Sequence, residues 1–249
     1  AFALSENEGA VYLSSAEGDV LMGYREAEDF GASETDVSFG RYFKKSTGNY
    51  NFVAMSAATP WLPNAYPKVG PIVINEIMYN PQSGDQRQEY IELHNIGPTD
   101  ITLYDPNEAQ PWRFTDGIEY TFPPYPGATI PAGGYLLVVK DMTAYLAQYG
   151  LPPSGVPVLG SYDGKLSNGG EKLELSMPGD TDEYGTQRYY IRADRVNYSD
   201  GSHPEDCPGG VDLWPTEPDA GGKSLTRTIP ANYGNDPNNW TAATPSPGE

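Results

Sequence analysis

Residues 72–79, Ile72-Val73-Ile74-Asn75-Glu76-Ile77-Met78-Tyr79, decide the fold. The run is short, rich in β-branched residues and stopped by Asn80-Pro81, where proline removes a ladder donor and restricts its predecessor. It reads as a strand. Shortly after it, Glu89-Tyr90-Ile91-Glu92-Leu93-His94-Asn95 alternates, which sends Ile91 and Leu93 inward and Tyr90, Glu92 and His94 outward. Further strands follow at sandwich-like spacing in Ile101-Thr102-Leu103-Tyr104, Trp112-Arg113-Phe114 and Tyr120-Thr121-Phe122. The turn Thr129-Ile130-Pro131-Ala132-Gly133-Gly134 feeds the most apolar run, Tyr135-Leu136-Leu137-Val138-Val139.

One helix is predicted. Asp141 can cap it, Met142, Tyr145, Leu146 and Tyr149 share a stripe, and Gly150 ends it. Strands resume in Val156-Pro157-Val158-Leu159, Lys172-Leu173-Glu174-Leu175 and Asp194-Arg195-Val196-Asn197-Tyr198. A loop rich in Gly, Pro and Asp covers 199–222, and Ser224-Leu225-Thr226-Arg227 and Trp240-Thr241-Ala242 close the fold. Many short strands with one short helix predict an all-β, antiparallel sandwich.

Part of this pattern occurs twice. Leu4-Ser5, Val11-Tyr12-Leu13-Ser14, Ser38-Phe39-Gly40-Arg41 and Asn51-Phe52-Val53-Ala54 return as Leu166-Ser167, Leu173-Glu174-Leu175-Ser176, Ser224-Leu225-Thr226-Arg227 and Asn239-Trp240-Thr241-Ala242. Thr59-Pro60 returns as Thr244-Pro245, and the second copy carries an insertion. The strand-like sequence from Ile72 to Leu166 has no counterpart before Leu4. The expected organisation is therefore tandem: the back half of a sandwich over 1–65, a short stiff linker over 66–71, and a complete sandwich with the helix over 72–249.

Composition narrows the function. The chain of 249 residues holds 34 acids and 15 bases, a net charge of −19. With no basic run, nucleic acid is excluded as a partner, because phosphate neutralisation supplies most such affinity. Anionic membrane surfaces are disfavoured likewise, and no apolar run is long enough for insertion. The 24 Pro and 28 Gly sit between strand-like runs and read as turn punctuation. The single cysteine, Cys207, cannot form an internal disulfide, which leaves secretion open. There is no signal peptide and no initiator Met, and Ala1 opens within strand-like sequence, as expected of processing or of a longer chain.

Candidate chemistry is sparse. With two histidines, any His mechanism must use His94 or His203, and His203 and Cys207 lie in a loop with no scaffold to fix a nucleophile pair. A transition-metal site at His203, Asp206 and Cys207 lacks sufficient ligands. No Gly-x-Ser-x-Gly elbow, phosphate loop or His-Glu-x-x-His motif is present. Calcium candidates are Asp180, Asp182 and Glu183, which open like a calcium loop but lack the distal bidentate Glu. A second candidate group is Asp200, Glu205 and Asp206, with Asp212 nearby. Glu76, Glu89 and Glu92 are expected to pair with Arg113 or Arg195 rather than to act as glycosidase carboxylates. Tyr90 and Tyr198, read as outward-facing, are candidate interaction residues, with polysaccharide stacking as a further use. Trp240 and Phe52 hold matching repeat positions and read as core.

The strands in this order resemble the lamin tail domain as it occurs in secreted bacterial proteins. The match is carried by Val73-Ile74-Asn75-Glu76-Ile77, Glu89 to Asn95, Ile130-Pro131-Ala132-Gly133-Gly134-Tyr135 and Leu166-Ser167-Asn168-Gly169-Gly170-Glu171. Trp214-Pro215, Asp219 to Leu225, Asn235 to Trp240 and Thr244 to Gly248 complete it. The resemblance implies an immunoglobulin-like sandwich and a non-catalytic module for attachment, surface display or interaction, with no active-site residues to carry over and no cofactor required. It further implies an extracellular or cell-surface location in bacteria. The half-domain would then be completed by homotypic neighbouring subunits, which builds a filament by strand complementation, or by upstream domains of the same polypeptide. The alternative is a carbohydrate- or calcium-dependent binding module attached to an extracellular enzyme.

Overall fold

The computed structural model describes residues 4–107, 109–124, 127–207 and 209–249. Two compact units are present. The first comprises Ala1–Phe43, Tyr50–Lys68 and Gly179–Ile191, and the second Lys44–Asn49, Val69–Pro178 and Arg192–Glu249. The fold is all-β and immunoglobulin-like with one short helix, and no helix among the described residues is long and apolar enough to cross a membrane.

Four strands open the chain: β1 (Gly9–Glu17), β2 (Val20–Phe30), β3 (Phe39–Lys44) and β4 (Asn49–Ala54). They form two separate antiparallel pairs, β1 with β2 and β3 with β4. The linker expected over 66–71 is partly bound structure. Tyr66 O accepts from Ser56 N, Ala54 O accepts from Lys68 N, and Met55 bridges Pro67 beside β4.

The second unit continues with β5 (Ile72–Met78), β6 (Tyr90–Asn95), β7 (Ile101–Thr102), β8 (Tyr104–Asp105), β9 (Gln110–Pro111), β10 (Arg113–Asp116), β11 (Thr129–Ile130) and β12 (Tyr135–Val139). Then come helix α1 (Met142–Tyr149), β13 (Val158–Gly160), β14 (Gly170–Thr181), β15 (Arg188–Ser199), β16 (Ser224–Arg227) and β17 (Trp240–Ala243), with the β14–β15 tip from Gly179 to Ile191 belonging to the first unit. One sheet runs β13-β12-β6-β5-β16-β17 and the other β10-β14-β15, with β7 paired to β11 and β8 to β9.

Between the sheets lies an apolar core. Ile72, Ile74 and Ile77 of β5, Ile91 and Leu93 of β6, and Leu136 and Val138 of β12 meet Leu173, Leu175, Val196 and Tyr198 from the opposite sheet. Each fully buried aliphatic side chain contributes about 1.5–3 kcal/mol.

Strand parity is as the alternation predicts, but solvent is not. Tyr90 does point to the outer face, where it is buried with Met78, Leu137, Val139 and Tyr145 rather than wet. The cover is α1. Asp141 Oδ1 accepts from Ala144 N at 2.8 Å to start it, and Gly150 at φ 78° stops it. Tyr145 and Tyr149 then set their rings edge-on to Tyr90 at 5.8 and 5.2 Å. The crossover through α1 also makes β12 and β13 parallel, a departure from an all-antiparallel sheet, because a crossover connection is what a parallel pair requires.

Candidate functional site

The complete sandwich shows what each repeat position does when a sheet faces it. Leu166, Leu173 and Leu175 are each 0 % exposed. Leu166 is drawn in by its own amide, which donates to Glu89 Oε2 at 2.9 Å, while Ser167 N donates to Glu171 Oε1 at 2.7 Å. Gly170 follows at φ +108°, where a Cβ would meet Tyr198 O at 2.4 Å, so the turn into β14 requires glycine.

Arg227 of β16 makes the inter-sheet clamp. Its Nη1 donates to Asp194 Oδ2 of β15 at 2.6 Å and to Ile74 O of β5 at 3.0 Å, and Asp194 Oδ2 accepts from Ile74 N at 2.9 Å. One backbone unit of β5 is thus held at both its N–H and its C=O by a buried ion pair.

At the positions that the sequence repeat aligns, the strand pairings agree and the burial does not. β1–β2 correspond to β14–β15, and β3–β4 to β16–β17, with the same antiparallel partners. Leu4, Val11 and Leu13, which match Leu166, Leu173 and Leu175, are 63 %, 40 % and 63 % exposed. Val20, Leu21, Met22 and Tyr24 of β2 are exposed as well, and Tyr24, whose hydroxyl donates to Glu26, lies on the face of Val11 and Leu13. In the complete copy β16 pairs with β5 and β14 with β10. Among the described residues no strand plays either part for β3 or β1.

What remains of this core is aromatic. Phe39 packs at 5.8 Å from Phe30 and at 5.9 Å from Phe52. Beside them an open groove of about 470 Å³ is lined by residues that include Leu4, Val11, Phe30, Val37, Phe39 and Phe52. Arg41, which matches Arg227, lies 3.9 Å from both Glu26 and Glu28 with its side chain 39 % exposed. Its guanidinium stacks over Tyr50 at 4.2 Å. The groove is lined mainly by apolar side chains, together with Ser5, Glu6, Ser33 and Ser38.

Several residues singled out from sequence spend their carboxylates on local hydrogen bonds. Asp182 spends its carboxylate on its own hairpin tip, accepting from Thr186 N and Oγ1 at 2.7 Å and from Gln187 N at 3.1 Å. Those hydrogen bonds hold its carboxyl below the usual carboxylate range. Asp180 and Glu183 are exposed beside it. Asp200 Oδ1 is likewise used locally, by Ser202 N and Oγ. Asp212 ties the same loop through Ser199 Oγ and Trp214 N. His203, Glu205 and Asp206 do bring one ligand atom each within 4.8 Å of one another, on exposed or half-buried side chains. Burial, then Asp212 and Asp206, push the Cys207 thiol up, which works against a thiolate there.

Tyr90 and Tyr198 are both buried, which corrects their reading as surface contacts. Tyr198 stacks on Tyr79 at 5.0 Å and donates to Ser167 O and Glu171 Oε1. Its ring fills the space between the sheets.

The three glutamates are held by hydroxyl and amide donors in place of the arginine pairing expected. Glu89 Oε2 accepts from Tyr162 OH at 2.8 Å as well as from Leu166 N, and burial pushes its carboxyl up to about 7. A register shift between Ile74 and Glu76 inserts Asn75 as a bulge, so that Asn75 Nδ2 donates to Glu92 Oε1 at 2.8 Å. Glu92 Oε2 accepts from Gly248 N, and Glu76 Oε1 from Ser224 Oγ and Ser246 N. Burial first, and the facing Glu76 in addition, push Glu92 up to about 8, and burial raises Glu76 as well. These groups fasten segments of the fold.

The repeat led to the expectation of an incomplete half-domain completed by a neighbouring subunit or an upstream domain, but none of the residues that line the groove was named from sequence as a site. Residues 66–189 match the family model described as Lamin Tail Domain, which supports that family for the segment. The family is one of non-enzymatic immunoglobulin-like domains. Among curated proteins none matches. A solved structure, that of a DUF4876 family protein from Bacteroides thetaiotaomicron, is similar at 11% identity over 90% of this chain and 84% of that chain, with a TM-score of 0.40.

Proposed function

We propose that this lamin-tail-type chain is a non-catalytic structural module of an exported, cell-surface bacterial protein, and that it engages another polypeptide through the apolar face of its first unit. One observation carries the reading: Leu4, Val11 and Leu13 are open to solvent at positions whose repeat partners are wholly buried. Contiguous apolar surface of this kind marks interaction sites on stable proteins. An unpaired strand edge beside it adds main-chain hydrogen-bonding capacity. Adhesion and filament growth are both served by such a face.

Dye binding tests this. The native chain is expected to bind an anilinonaphthalene sulfonate dye, and the double variant Val11→Glu, Leu13→Glu to lose that binding with its unfolding midpoint unchanged. A native chain that binds no dye, or a variant destabilised by more than ~2 kcal/mol as for a buried leucine, means that the face is already covered and the reading fails.

A further inference from the structure

We propose that the occupant of this face is a polypeptide segment with the chemistry of the chain's own β5 and β6, and that its leading strand adds antiparallel to the edge of β3 away from β4, displacing the Asn64 side chain whose Nδ2 donates to Arg41 O at 3.0 Å. The inference rests on the functional reading above and names the partner. Two independent features of the chain support it.

The first is the covering seen in the complete copy. There the edge of β16 equivalent to that edge of β3 is taken by β5, antiparallel, with Leu225 opposite Ile77 and Thr226 opposite Glu76. Transposed through the repeat, the residue of the incoming strand equivalent to Ile77 stands opposite Phe39, and that equivalent to Glu76 stands opposite Gly40. Its alternate aliphatic side chains, the counterparts of Ile72, Ile74 and Ile77, then fall toward Val11, Leu13 and Phe30. Strand addition of this type draws affinity from the main chain and specificity from alternate side chains.

The second feature is the loose ion pair. In the complete copy Arg227 and Asp194 hold the C=O and N–H of Ile74. Arg41 with Glu26 and Glu28 is the same charge arrangement on the same strands, still 3.9 Å apart. A backbone unit set between them would receive a guanidinium donor and a carboxylate acceptor together. An apolar ligand such as an acyl chain has no use for that pair, whereas an extended peptide does.

The probe is the acetylated, amidated peptide of residues 71–80, added to the full chain, with amide hydrogen exchange followed strand by strand. Slowed exchange confined to the first unit and centred on β3, absent with a scrambled peptide, is the expected result. Arg41→Ala should weaken the peptide at least tenfold, and Arg41→Lys, which keeps the charge but loses the planar donor fork, should weaken it by less, with the unfolding midpoint of each free chain measured alongside so that a loss of stability is separated from a loss of binding.

Failure of the peptide to protect β3, in a chain that still binds the dye, overturns the proposed occupant and leaves the functional reading standing. Equal protection by the scrambled peptide overturns it too. Concentration-dependent dimers that protect β3 without peptide would make a second copy the occupant, and would also overturn it.

Discussion

Glu76 and Glu92 stand directly opposite each other on neighbouring strands, both buried, with hydroxyl and amide donors but no cation beside them. Two carboxylates so placed favour a shared proton. The folded value of Glu92, about 8, lies above its ordinary value of 4.5. The stability this group contributes is therefore whole below the ordinary value and is lost as pH rises toward the folded one. Each unit between the two is worth ~1.4 kcal/mol. Urea midpoints taken at about pH 5 and about pH 9 should show the parent losing stability with rising pH, and Glu92→Gln losing much less. An equal slope in both would place the linkage elsewhere. Nothing in the sequence around Glu92 announces this. Its position on the outer strand face was legible from the alternation, but burial there depends on α1 and on residues 244–249, which reach it only in three dimensions.

At the scale of the element, the repeat supplies its own control. Arg227→Met leaves Asp194 buried without its partner and should cost ~3–5 kcal/mol. Arg41→Met, at the matching position, removes a half-buried pair held at 3.9 Å and should cost less, on the order of 1 kcal/mol. Chemical denaturation of the two variants side by side checks both values, and equal losses would mean that Arg41 already holds a closed clamp.

Much of the element pattern could be read in advance. The strand at Ile72–Met78, the capped helix after Asp141 and the pairing of Ser38–Arg41 with Ser224–Arg227 all follow from local chemistry or from the repeat itself. The parallel pairing of β12 with β13 did not, because an isolated Val-Leu-Gly run carries no information about the direction of its neighbour. Tyr198 misled for a related reason. Alternation gives a strand two faces and says nothing about which of them lies toward a second sheet.

Across the whole molecule, stability should be uneven. The second unit owns the continuous core between two sheets, while the first keeps a few stacked aromatics beside an open groove. Local stability follows buried apolar contact. In rising urea the amides of β1 and β2 should therefore exchange before those of β5 and β6, in a separate transition; one common transition would show the units to be thermodynamically coupled. The order of strands in the larger sheet has a mechanical consequence. β5 and β17 flank β16, each antiparallel to it. They therefore run in the same direction, and the start of β5 and the end of β17 lie at opposite ends of the sheet. Tension entering the second unit ahead of Ile72 and leaving it after Ala243 would pull these strands past one another lengthwise. The hydrogen bonds that each makes to β16 would share that load in shear instead of opening one at a time.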